Sequence, residues 1–261
     1  MIPWFQFTTI HIGPIPLQVW GFWVALGFIF STVVMVKRLK PFGVSSEQVL
    51  DICMWLLIGG VIGARISHIV LYEPSFFIAH PSELLKIWHG GLSSYGGFVG
   101  AAVAFLLYKK KHEVTWLKKL SVGKFLDHFG FAALYGWMIG RIGCFMIHDH
   151  LGIPSNFLLA VNKPDGARLD MAFLEILALF PLAIFFFVWK NKKKPSGFFL
   201  SILLVYYGLV RFTLDFLRAT DIIHADVRYM GLTPAQYLSL CVVVLGGVVF
   251  YRTQRMRGIK K

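Results

Sequence analysis

Seven stretches of this chain are apolar over close to the roughly 20 residues that a helix needs to cross a hydrocarbon core. They run over about 15–37, 47–71, 91–108, 124–147, 171–189, 197–217 and 234–251 of the 261 residues. Together they leave room for little besides short connections. Only 15% of the residues are charged, against about 25% in a soluble domain. No segment shows the ten-residue alternation of a membrane β-barrel. The expected fold is all-α: a polytopic integral membrane protein of about seven transmembrane helices, forming a single domain over 1–261.

Basic residues orient the bundle. Eighteen of the 26 Lys and Arg fall on one side: three at 37–40, six at 109–124, four at 190–194 and five at 252–261. The positive-inside rule puts that side in the cytoplasm, so the N-terminus is expected outside and the C-terminus inside. The net charge of +13 then anchors the protein to anionic membrane lipid and calls for no nucleic acid. Met1 to Gly13 has neither a basic n-region nor a small-residue cleavage site, so a removable signal peptide is not expected. Its Trp4, Phe5, Phe7 and His11 suit a segment lying in the outer interface. Cys53, Cys144 and Cys241 lie within spans and lack metal or redox spacing, so no disulfide is expected.

Charge inside the spans carries the functional signal, because an intramembrane charge is costly and normally functional. Arg65, Arg141 and Arg211 lie on spans two, four and six, each about seven residues before the outer end, or roughly 10 Å deep at the helical rise. Ala132, Gly136, Gly140 and Cys144 share one face of span four, which lets another helix approach closely. Tyr207, Arg211 and Asp215 form a stripe at four-residue steps, with Arg218 close by. Glu175, just inside span five, is a plausible arginine partner, and Asp127 is expected to pair locally with Lys124. Beyond Arg141 the chain turns polar at His148-Asp149-His150, then Gly152. Three arginines at one depth with carboxylates nearby suggest a polar pocket for a phospholipid phosphate, since the planar guanidinium fork bonds two phosphate oxygens at once. The paired glycines of His89-Gly90-Gly91-Leu92-Ser93-Ser94-Tyr95-Gly96-Gly97 permit close approach to a ligand or to a neighbouring helix.

These residues also carry a resemblance. Gly63-Ala64-Arg65, the stretch from Ile87 to Gly97, Gly140-Arg141-Ile142-Gly143, Tyr207-Gly208 with Arg211-Phe212, and Gly231 to Tyr237 are similar to motifs of the prolipoprotein diacylglyceryl transferases of bacterial inner membranes. The likeness spans almost the whole chain. It implies transfer of the diacylglyceryl group of phosphatidylglycerol to the cysteine thiol of a lipobox in a prolipoprotein signal peptide, with release of glycerol phosphate. Arg141 and Arg211 would stabilise the phosphate, Tyr207 would orient it, and Gly152 would match the glycine that closes the family signature. The chain departs from the family pattern at Tyr95, where His is usual, at Cys144 and Ile147, where both positions are usually Asn, and at Asp149, where Glu is usual. Trp20 stands where Tyr is expected.

The resulting expectation is a transferase open to the outer leaflet. Arg141, Arg211, His148, Asp149, His150 and Tyr95 are the candidate catalytic residues. Arg65, Tyr207, Trp20, Gly96, Gly97, Gly152 and Glu175 are the candidate substrate contacts. No cofactor is expected, and no metal, since His148 and His150 two residues apart make a weak ligand pair. The alternatives are a homologue that binds lipid or preprotein without catalysis, and an anion transporter using the arginines for selectivity. Cys144 as a covalent nucleophile is a further possibility, although its apolar helix face argues for packing.

Overall fold

The computed structural model describes residues 1–71, 74–86, 91–111, 120–222 and 225–258. In chain order the elements are β1 (Ile2–Pro3), β2 (Thr9–Ile12), β3 (Ile15–Gln18), α1 (Val19–Leu39), α2 (Ser46–Leu71), α3 (Pro74–Ala79), α4 (Ser94–Lys111), α5 (Val122–Ile147), β4 (Leu151–Pro154), β5 (Val161–Lys163), β6 (Gly166–Asp170), α6 (Met171–Trp189), α7 (Phe198–Leu214) and α8 (Pro234–Gly258). Among the described residues six helices are long and apolar enough to cross a membrane: those starting at Val19, Ser46, Val122, Met171, Phe198 and Pro234. The protein is therefore a helical, multi-pass membrane protein. The region of the expected third span is helical as α4, but its 18 residues end in Lys109, Lys110 and Lys111, and it is not among these six.

Two compact units make up the chain, Met1–Met35 with Val122–Lys261, and Val36–Ser121. In the second unit α2 and α4 meet along glycines. A Cβ on Gly63 or Gly96 would collide with the facing backbone carbonyl of the other, so only glycine lets these two backbones approach so closely. Of the motif's glycines, Gly96 and Gly97 lie along this helix seam. Gly96 is buried in it, and a Cβ on Gly97 would lie 3.7 Å from Ala64 Cβ.

In the first unit the small-residue face of α5 receives α1, as its spacing predicts. Ser31 donates to the Ala132 carbonyl at 3.1 Å, and a Cβ on Gly136 would strike the Ser31 side chain. Phe131, Leu134, Leu179, Leu182, Phe186 and Phe199 form one buried apolar core between α5, α6 and α7. At the Lys124 end of that core, Asp127 accepts the N–H groups of Gly197 at 2.8 Å and Leu200 at 3.1 Å. It caps α7, whose first N–H groups have no intrahelical acceptor, and this interhelical cap is the role that replaces the expected local pairing with Lys124.

The other end of α5, α6 and α7 carries a small sheet of order β1-β5-β6-β4. Residues 152–170, which read as a turn-rich loop, contain its hairpin: Lys163 pairs with Gly166 around the two-residue turn Pro164-Asp165. β1 adds in parallel, with Ile2 opposite Val161. The N-terminal segment is further tied to α5 where Phe7 N–H donates to the Met146 carbonyl at 3.0 Å.

Candidate active site

At the sheet end of the first unit, Glu175 organises the charges. It sits in the second turn of α6 with no exposed surface, and every contact it makes comes from a donor. Arg141 on α5 reaches it with two N–H groups, Nε to Oε1 at 2.9 Å and Nη2 to Oε2 at 2.7 Å. Trp137, one turn earlier on the same face of α5, donates its indole N–H to Oε1 at 2.7 Å. Arg211 on α7 approaches Oε2 at 3.4 Å and Asp215 Oδ1 at 3.3 Å. A buried carboxylate survives only when paired and hydrogen-bonded, and Glu175 is both. Glu175 thus serves Arg141 and Arg211 together rather than one arginine alone. Tyr207, one turn before Arg211, packs edge-on against Trp137 with ring centroids 5.8 Å apart.

Asp215 extends the cluster. Its Oδ2 accepts the Thr233 hydroxyl, and its Oδ1 lies 3.8 Å from Arg218 Nε. Arg218 also pairs with Asp226 and donates Nη2–H to His150 Nδ1 at 2.9 Å. Gly152 makes this last contact possible. It forms an isolated antiparallel bridge with Arg218, and a Cβ there would come within 2.9 Å of Leu217 O, Leu169 Cβ and Met171 Sδ. Gly152 therefore works as a packing glycine that holds the 217–219 segment beside His150.

The three residues past Arg141 have different roles. His148 is buried, bonds Asp170 through Nδ1 at 2.8 Å, and stacks on Trp4 with centroids 4.8 Å apart. Asp170 also caps α6 through Phe173 N–H. His148 takes a left-handed backbone, φ 52°, which ends α5 and turns the chain toward the sheet. Asp149 is exposed on the residue scale, yet burial of its carboxyl pushes it up to about 6 against the pull of Arg141, with Asp170 adding to the rise. His150 is held well below the ordinary imidazole value, first by burial and then by Arg141, Arg218 and Arg211.

Cys144 Sγ and side-chain donors of Asp149 and His150 lie within 4.8 Å of one another. Their surroundings do not suit a cation. Arg141 Nη1 faces Cys144 Sγ at 3.8 Å, and Arg218 occupies His150 Nδ1, so two of the three groups already meet guanidinium charge.

Of the remaining sequence candidates, Trp20 borders the site through a side-chain hydrogen bond to Cys144, and the others fall elsewhere. Arg65, in the other unit, donates to main-chain carbonyls of Leu84 at 3.2 Å, Gly91 at 3.0 Å and Glu83 and lies over the Phe77 ring. Gly96 and Gly97 face α2. Trp20 lies where α1 crosses α5, its backbone 3.2 Å from the position of a Cβ on Gly143. Tyr95 is on the first turn of α4, its side chain outside the described residues, as are Trp88, His89 and Gly90 of the same motif. The sequence reading missed Trp137, which its i, i+4 spacing to Arg141 marks in hindsight, and it missed the pairings of Asp170 with His148 and of Arg218 with His150.

The molecule is thus a multi-pass helical membrane protein in which a buried carboxylate gathers two guanidinium groups from neighbouring helices. Comparison with known proteins gives its kinship: the chain belongs to the prolipoprotein diacylglyceryl transferase family, whose model matches residues 8–252. Relatives described as phosphatidylglycerol–prolipoprotein diacylglyceryl transferase include one from Nitrosomonas europaea, 30% identical over 98% of this chain and 92% of its own length. Others from Paraburkholderia xenovorans and Neisseria meningitidis are each 29% identical, over 98% and 96% of this chain and 95% and 96% of their own lengths.

Proposed function

We propose that this protein is a phosphatidylglycerol–prolipoprotein diacylglyceryl transferase that alkylates the lipobox cysteine of its protein substrate and releases glycerol phosphate. The observation that carries the reading is the pair Arg141 and Arg211 sharing Glu175 inside the helical layer. Each guanidinium has five N–H groups, of which Glu175 takes two from Arg141 and one from Arg211. Arg211 Nη2 also meets Asp215 and Arg141 Nη1 faces Cys144, and the N–H groups beyond these contacts suit the oxygens of a phosphodiester at the depth of a lipid headgroup.

In this reading the thiolate sulfur attacks the glyceryl carbon bonded to phosphate. The C–S bond forms, the C–O bond breaks, and its electron pair leaves on the phosphate oxygen. Arg141 and Arg211 meet the charge that grows on that oxygen, the kind of preorganised electrostatic stabilisation that usually contributes most to catalysis. Tyr207 and Trp137 wall the cluster, and Glu175 fixes both guanidinium planes before substrate arrives. The core between this cluster and Asp127 is closely packed with apolar side chains, and the Tyr135 and Tyr206 hydroxyls beside it are spent on the Ala183 and Ala178 carbonyls, which favours the transferase over an anion pathway. The site is assigned to the outer leaflet of the bacterial cytoplasmic membrane, with the 18 clustered basic residues on the cytoplasmic side.

The test is release of glycerol phosphate from phosphatidylglycerol by purified protein. Release that depends on a lipobox peptide, with the peptide gaining a diacylglyceryl group, is the expected result. Protein that binds both substrates and releases nothing would leave the lipid-binding homologue as the better account.

A further inference from the structure

Arg141 and Arg211 supply nothing toward removal of the thiol proton, and an ordinary thiol with a pKa of about 8.5 is mostly protonated at neutral pH. Among the described residues just past Arg141, three side chains, His148, Asp149 and His150, are chemically able to accept it, and their hydrogen bonds separate them. His148 Nδ1 is committed to Asp170. Its Nε2 is buried without a partner, under the rings of Trp4, Phe5 and Phe145, whose centroids lie 4.7–5.3 Å away. No thiol reaches it without unstacking them. His150 is excluded differently. A guanidinium only donates, so Arg218 makes Nδ1 the acceptor, and the neutral ring then carries its proton on Nε2. That N–H faces Asp149 Oδ2 at 3.7 Å, and the ring has no lone pair to offer.

We infer that Asp149 is the proton acceptor for the substrate thiol, and that His150, held by Arg218, is a positioning residue that orients the Asp149 carboxylate. This rests on the transferase reading and deepens it. Five groups face Asp149: Arg141 and Cys144 from α5, His150 beside it, Asp170 from the start of α6, and Arg218 from the segment after α7. A third of its side chain, 33%, is solvent-accessible, which gives the thiol an approach and the proton an exit. The thiol proton passes to Asp149, the sulfur pair forms the C–S bond as the C–O bond breaks, and Asp149 returns the proton to water. A carboxyl raised to about 6 is ionised at neutral pH and is a better acceptor than an ordinary aspartate, following Brønsted behaviour.

The experiment compares transfer rates against pH for a cysteine lipobox peptide and its selenocysteine analogue, whose selenol is ionised at neutral pH. Wild-type protein should show a rising limb near pH 6 with the cysteine peptide and none with the selenocysteine peptide. Asp149→Asn should lose about 10²–10⁴-fold at neutral pH with the cysteine peptide, regain rate as the thiol ionises at alkaline pH, and run close to wild type with the selenocysteine peptide. Asp149→Glu should recover most of the rate, and His150→Gln should lower the rate while keeping the limb. A loss in Asp149→Asn that is equal at all pH values and for both peptides, or no loss at all, overturns the assignment and leaves the transferase reading standing. If that variant does not fold, a wild-type limb shared by both peptides overturns the assignment equally. Wild-type protein that transfers to neither peptide overturns the transferase reading and the assignment with it.

Discussion

Replacing Glu175 by Gln should push stability and anion affinity in opposite directions. Glutamine fills the same volume, but it removes the negative charge between Arg141 and Arg211 and turns an acceptor oxygen into an NH2 that faces donors. The carboxylate is fully buried and receives three short N–H bonds at 2.7, 2.9 and 2.7 Å, so water cannot take its place cheaply. Removing one partner of a buried ion pair costs about 3–5 kcal/mol, or about two to nearly four powers of ten in the folding equilibrium at 1.36 kcal/mol per decade. The same change releases the guanidinium N–H groups that Glu175 occupies, so an anionic phosphate should bind more tightly. The assay is thermal melting in detergent with and without glycerol phosphate. Glu175→Gln should melt well below wild type and gain more from glycerol phosphate, which at a hundred times its Kd restores about 2.7 kcal/mol. An unchanged melting temperature would refute Glu175 as the organising charge. A lowered one with no added response to glycerol phosphate would refute phosphate as the anion.

Arg141→Ala and Arg211→Ala should each abolish peptide-dependent glycerol phosphate release in folded protein, and Lys should rescue poorly because it cannot reproduce the two-pronged contact with carboxylate and phosphate; substantial release by both Ala variants would remove the site. Asp127→Ala should cost about 0.5–2 kcal/mol, the usual range for a lost helix cap, and leave the rate per folded molecule unchanged. His148→Asn should keep the pH profile of transfer while lowering the melting temperature through lost stacking on Trp4; a vanished pH limb would make His148 the base. With the three native cysteines removed, an impermeant thiol reagent on intact cells should label a cysteine at 163 and spare one at 111, and the reverse pattern would put the site on the cytoplasmic side.

How much of this was legible in the sequence depends on how far apart the interacting residues are. Features that one helix defines by itself read directly. The small-residue face of α5, the stripe of Tyr207, Arg211 and Asp215, and the intramembrane arginines all follow from a 3.6-residue period and the cost of charge in hydrocarbon. Glu175 was readable as an arginine partner for the same reason, since a carboxylate just inside a span needs a cation. What was hidden was the choice among partners. His148 and His150 look equivalent in sequence, two residues apart around one aspartate. The left-handed turn at His148 sends its ring against Trp4 and Asp170, while His150 points to Arg218, 68 residues away.

The apparent triad of arginines resolves in the same way. Arg65 shares its depth in the sequence with Arg141 and Arg211, but depth fixes only one coordinate of three. Arg141 and Arg211 have a carboxylate from a third helix between them, whereas Arg65 has backbone carbonyls 18 to 26 residues ahead of it in the chain. A guanidinium that donates to several main-chain carbonyls helps to hold the segment that carries them. One satisfied by a shared carboxylate keeps donors beside a group that a phosphate can rival. That difference, invisible to spacing and composition, supports placing the proposed anion site at Arg141 and Arg211.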